Sequence, residues 1–185
     1  MLNRIAVLFL VCVVWACALQ AQEAGSASGK GKIERIVDPA TGQTEWVEFL
    51  PRHSFAYPET INGKKFTWIV LTEKEPPLKD WAAAKSREEA RRLWCGSEKT
   101  SFVAVKLDAE WKVDLYFLCP SNGAVNTEML SSANGLDSVV VEFEVRDAKK
   151  LKGTLRTGIG ACGDQDSQSY CEATGDYTFD APLSK

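Results

Sequence analysis

The sequence predicts a mainly β domain: an antiparallel β-sandwich or open barrel of about eight or nine strands with one short α-helix inserted at about residues 80–95. Three observations lead there. Most runs past residue 32 alternate apolar and polar residues with period two. The runs are separated by turn-forming clusters, of which Asp38-Pro39-Ala40-Thr41-Gly42 and Asn62-Gly63 are the clearest. A helix start signal followed by helical spacing occurs convincingly once, from Ser86.

The chain opens on Arg4, the apolar run Ile5–Ala18 and small residues that include Ala16-Cys17-Ala18. A charged start, a short apolar stretch and an A-x-A site together read as a secretory signal peptide over residues 1–21. The apolar run falls short of the ~20 residues that a comfortable membrane span takes. Residues 22–32, rich in Gly, Ser and Ala, read as a flexible linker, and residues 33–185 as a single β-rich domain long enough to bury its own core. Ala16 before Cys17 also fits lipoprotein processing, so a lipid anchor at Cys17 is the other fate this end allows.

Ile33–Val37 and Glu45–Leu50 flank the first turn cluster as a hairpin. Phe55–Ile61 and Lys65–Thr72 flank Asn62-Gly63, which tolerates the positive φ that both central positions of a type I′ turn require. In the second arm Phe66, Trp68 and Val70 alternate with Thr67, Ile69 and Leu71, so both faces are largely apolar and the strand is expected to be central and covered on both sides. Pro76-Pro77 breaks the pattern. Ser86-Arg87-Glu88-Glu89 is a capping box, Ala90, Leu93 and Trp94 share one helical face, and Asp80–Lys85 adds a turn leading in. Ser101–Leu107 and Lys112–Cys119 are strands joined by Asp108-Ala109-Glu110-Trp111. Ser138–Arg146, Leu151–Thr157 and about Asp176–Leu183, with Tyr177 and Phe179 inward, complete the set.

Charge and cysteines narrow the function classes. The 22 Lys and Arg and 25 Asp and Glu of the whole chain become 21 against 25 once Arg4 is removed, a net charge of about −4 with the basic residues scattered. No phosphate-tracking stripe or polybasic membrane patch is present, so nucleic acid is not an expected partner, nor is a membrane span after signal cleavage. Cys95, Cys119, Cys162 and Cys171 lie beyond the cleavage zone, and an even number in an oxidising compartment reads as two structural disulfides, Cys95 with Cys119 and Cys162 with Cys171. Without a C-x-x-C or Cys/His cluster, metal and cofactor binding are not expected.

Four features compete as functional sites. The long connection Pro120–Asp137 is either a recognition loop acting through Asn126, Glu128, Met129 and Ser132, or one helical turn at 127–131 whose Met129 or Leu130 plugs an end of the fold. Trp46 and Trp111 are expected to be exposed aromatics, suited to stacking on a glycan or anchoring a protein partner. Asp164–Glu172 alternates oxygen ligands but lacks the calcium-loop glycine and the bidentate Glu. His53 beside Ser54 suggests acid-base chemistry, but neighbours in sequence seldom share the geometry that general base catalysis needs, and it reads as a satisfied or exposed histidine.

The leading expectation is therefore an exported protein, periplasmic or extracellular in a bacterial-type envelope, that acts by binding or structural contact and carries no catalytic set. One alternative is a secreted hydrolase that pairs carboxylates among Asp108, Glu110 and Asp114. Another is an inhibitor-like module presenting the Cys162–Cys171 loop to a protease.

Overall fold

A computed structural model describes residues 23–38, 40–41, 43–84, 89–90, 101–119, 128–131, 139–158 and 173–184. In chain order its elements are β1 (Gly25–Asp38), β2 (Gln43–Phe49), β3 (His53–Ile61), β4 (Lys64–Thr72), α1 (Leu78–Ala83), β5 (Phe102–Leu107), β6 (Val113–Cys119), β7 (Glu128–Ser131), β8 (Val139–Arg146), β9 (Lys150–Thr157) and β10 (Ala173–Pro182). All strands join one sheet, ordered β7-β6-β5-β4-β3-β1-β10-β9-β8, with β2 also paired to β1. Every ladder in it is antiparallel. The sheet curls into a half-barrel, so of the two expected forms the open barrel is the one adopted.

The curl has a local origin. β2 and β3 lie end to end along one edge of β1: Gly31–Asp38 pairs with β2, whereas Gly25 and Ser26 pair with β3. Between them the chain bends at Leu50-Pro51-Arg52, where the Arg52 carbonyl accepts from the Ala27 amide at 3.0 Å, and β3 then turns its other edge to β4. On β1 the bend is met by Gly29, whose φ of 117° is one that side chains rarely adopt. A strand that bends and changes partners is how one sheet turns a barrel corner.

Curling creates two cores. Ile33, Phe49, Ala56, Ile69, Leu71, Val103, Val105, Tyr116, Leu155 and Tyr177 fill the concave side. Phe55, Tyr57, Trp68, Val70, Trp81, Phe102 and Phe117 form an aromatic layer on the convex side, closed by α1 through Trp81 and Leu78. β4 contributes Ile69 and Leu71 to one core and Trp68 and Val70 to the other, which is the two-sided burial its doubly apolar pattern predicts. Asn62 and Gly63 take φ of 51° and 77° in a two-residue hairpin, as the type I′ reading requires.

Three expectations need correcting. The Gly/Ser/Ala run read as a linker is strand from Gly25, because β10 pairs with Ser26–Ile33 along its length. Small residues are needed there: a Cβ on Gly25 or Gly31 would run into the backbone of β10. The described helix is α1, beginning at Leu78 after Pro76-Pro77, ahead of the capping box. Glu89 and Ala90 are helical, and Ala90 packs on the convex core, while Ser86–Glu88 and Trp94 lie outside the described residues. Finally, Glu128–Ser131 is not a helical turn. It is β7, paired with Leu115–Leu118 of β6.

β7 and β8 are the two edge strands of the sheet, and among the described residues no ladder joins them. Trp111, in the β5–β6 turn, occupies a φ of 66° and reaches across to β8. Positive φ costs a bulky L-residue about 1 to 2 kcal/mol. The ring offsets this by packing edge-on against Phe143 of β8 at 5.4 Å, with the Arg146 guanidinium 4.9 Å above it.

Candidate functional site: three buried hydroxyls inside the half-barrel

Around the end of β9 the concave core stops being purely apolar. Along β9 the inward positions are Leu151, Gly153, Leu155 and then Thr157, which is 6% exposed. Thr157 pairs with Gly175 of β10, and Gly175 in turn faces Gly31 of β1. This glycine pair leaves a notch in the sheet. The Tyr177 phenol folds back into it, so a Cβ on either glycine would meet the phenol directly. Phe49, opposite Gly31 on β2, holds the Tyr177 ring edge-on at 5.5 Å. Tyr177 therefore carries its hydroxyl to the flank of Thr157.

Tyr116 reaches the same point from β6. Its hydroxyl is close enough to Tyr177 for that phenol to disfavour ionisation of Tyr116, and close enough to Thr157 for a side-chain hydrogen bond between them to favour it. Burial is the main influence and pushes the Tyr116 phenol well above its ordinary value; burial alone does the same for Tyr177. Both phenols are thus neutral through the physiological range. None of the three hydroxyls forms a hydrogen bond of strict geometry, although Tyr116 and Thr157 lie close enough to interact as a hydrogen-bonding pair, which leaves Tyr177 the least satisfied. Buried polar groups are nearly always paired, and an orphan costs about 1 to 3 kcal/mol. Three buried hydroxyls gathered without strict hydrogen bonds are the most unusual chemical feature of the described residues.

No protein-family model matches the chain, and no curated protein or solved structure matches it either.

The residues singled out by sequence lie elsewhere. Trp46 is 43% exposed on the outer face of β2, with Leu50 near it at 44%. Trp111, expected to be exposed, is half-buried, because its turn lies against β8 and its ring joins the edge of the concave core. Cys119 is fully buried in the convex core, whereas Cys95, Cys162 and Cys171 fall outside the described residues. So do Asn126, Ser132 and the whole of Asp164–Glu172; Glu128 and Met129 belong to β7. Ser54 is buried and donates to the Ser26 carbonyl at 2.7 Å, which makes it part of the β1–β3 junction rather than a partner for His53.

Two of the three carboxylates of the hydrolase reading, Asp108 and Asp114, are engaged structurally, and Glu110 is exposed. Asp108 accepts from the amides of Glu110 and Lys112 at 2.9 and 2.8 Å and so shapes the turn, as Asp147 does in the β8–β9 turn. Asp114 is paired with Lys106 at 2.6 Å, and the Lys106 ammonium also lies 4.5 Å from the centre of the Phe66 ring. Among the described residues no cluster of His, Cys, Asp and Glu suits a metal ion.

Sequence reasoning did not find the hydroxyl cluster. Two signals pointed to it: glycines inside strands at 31 and 175, which mark close approach, and a threonine at an inward position.

Proposed function

We propose that this is an exported binding protein whose half-barrel receives a small ligand at the hydroxyls of Tyr116, Thr157 and Tyr177. The observation that carries the reading is the trio itself. Phenylalanine or valine would fill the same space without burying an unpaired hydroxyl, so three such hydroxyls at one point lower stability unless something binds them. Asp108 shapes a turn and Asp114 is held in an ion pair, which favours binding over hydrolysis by a pair among these carboxylates.

Export rests on the signal-peptide pattern of residues 1–21, with periplasm or cell exterior as the destination and a lipid anchor at Cys17 as its variant. In that setting Cys95–Cys119 and Cys162–Cys171 are the disulfides. Ala90, five residues before Cys95 in the chain, shares the convex core with Cys119. Among the described residues no helix is long and apolar enough to cross a membrane.

A crystal structure of the protein as isolated from an exporting host, with no stripping step, tests the reading. The expected result is electron density larger than a water molecule bridging the three hydroxyls. A lone water, or nothing, would mean that the site is not a ligand site.

A further inference from the structure

We propose that the half-barrel consists of two leaves that separate as units about a narrow hinge, with Trp111 as the latch between them. Strands β3–β7 pair each with the next in sequence, while β1, β2, β8, β9 and β10 pair among themselves. Among the described residues, backbone hydrogen bonds join the two sets only along one edge of β3 and the residue before it. There Gly25 and Ser26 pair with Ser54 and His53, the Ala27 amide donates to the Arg52 carbonyl at 3.0 Å, and the Ser184 amide donates to the Ala56 carbonyl at 2.8 Å. This short junction is the hinge.

The leaves differ in what holds them together internally. The convex core is drawn wholly from the first, through residues such as Phe55, Trp68, Trp81 and Phe117, and none of its described members comes from β1, β2, β8, β9 or β10. β4 and β5 are therefore buried on both faces, whereas β8 and β9 each bury one face, through the concave core that the leaves share. If the concave contacts are lost, the first leaf keeps a core and the second keeps none among the described residues, a division that favours sub-global opening. Across the curl from the hinge, Trp111 of the first leaf packs on Phe143 and Arg146 of the second. Its positive φ belongs to its own turn and is the same with the leaves together or apart, so the strain does not oppose the latch. Tyr116 stands on one leaf and Thr157 and Tyr177 on the other, so separation uncovers their hydroxyls; the inference stands whether or not these hold a ligand.

Hydrogen exchange followed by mass spectrometry on the full chain, wild type against Trp111→Gly, tests this. Glycine takes a positive φ freely, so the turn keeps its shape while the ring is lost. In the wild type the slowest amides are expected in β4 and β5. The variant is expected to exchange about tenfold faster in β1, β8, β9 and β10, from the combined loss of a ring pair and a cation–π contact, with β4 and β5 at the wild-type rate. Arg146→Gln removes the guanidinium alone and serves where the glycine variant does not fold; it is expected to give about a two- to fivefold rise in the same strands. Acceleration confined to β8 would be fraying of an edge strand. Equal acceleration in β4 and β5 would mean a single cooperative unit, and no acceleration would mean that Trp111 holds nothing. Each of these three results would overturn the proposal, and none bears on whether density bridges the hydroxyls.

Discussion

Replacing Trp68 with alanine is expected to destabilise the protein by about 3 to 5 kcal/mol, the range for emptying a large aromatic site in a packed core. Trp68 is 2% exposed at the centre of the convex layer, stacked on Tyr57 at 6.2 Å with their planes 15° apart. Its indole N–H donates to Glu59 at 2.6 Å on the neighbouring strand, so truncation also removes a charge-assisted hydrogen bond. Tyr57 touches Trp81 of α1 and stacks near Phe55, so the cavity would open beneath the helix and loosen its seat. The same change at Trp46, 43% exposed, is expected to alter stability by less than about 0.5 kcal/mol. Urea denaturation of the two variants checks the contrast, and equal losses would contradict the two-core description.

The second large effect is alkaline. Burial favours the neutral phenols of Tyr116 and Tyr177, so their folded values lie above the unfolded one of about 10. Below that value both states hold the protons and stability does not depend on these groups. Above it the unfolded chain loses protons that the folded chain keeps, so stability falls as pH rises, by up to about 1.4 kcal/mol per pH unit for each phenol until the folded values are passed. Urea midpoints measured from about pH 9 upward should therefore drop more steeply for the wild type than for the Tyr116→Phe/Tyr177→Phe variant. Part of the tyrosinate absorbance should appear only with unfolding. Identical slopes would place the phenols in contact with water.

Much of the fold is legible in the sequence because strands report burial through local alternation. β4, with apolar residues on both faces, could only be a central strand, and Asn62-Gly63 could only be a tight hairpin. What local pattern cannot show is which distant strand a residue meets. The glycines and serines of β1 have the composition of a tether, yet they are small because β10 crosses them closely and Tyr177 folds over Gly31. Trp111 sits among polar neighbours in sequence, and its burial comes from β8, more than thirty residues further on. Glu128–Ser131 is too short to carry a periodic signal and becomes a strand through pairing with β6.

The hydroxyl cluster shows the same limit most clearly. Tyr116, Thr157 and Tyr177 come from three strands, and each alone reads as an ordinary inward residue. Only the curled sheet reveals that three hydroxyls gather where none makes a hydrogen bond of strict geometry. Other polar groups of the fold are paired in the usual way, as in the exposed cross-strand pairs Arg156–Glu142 and Lys150–Asp180, which add little stability each and keep charge near the β8 edge.

The stability of Tyr116→Phe in ligand-free protein, measured by urea denaturation against the wild type, tests most directly whether this hydroxyl is held in reserve for a ligand. Removing a buried hydroxyl that makes no hydrogen bond of strict geometry is expected to raise stability, by up to about 1 to 3 kcal/mol. A loss of stability would show that the hydroxyl already serves the protein's own structure, and would contradict the assignment of the cluster as a binding site.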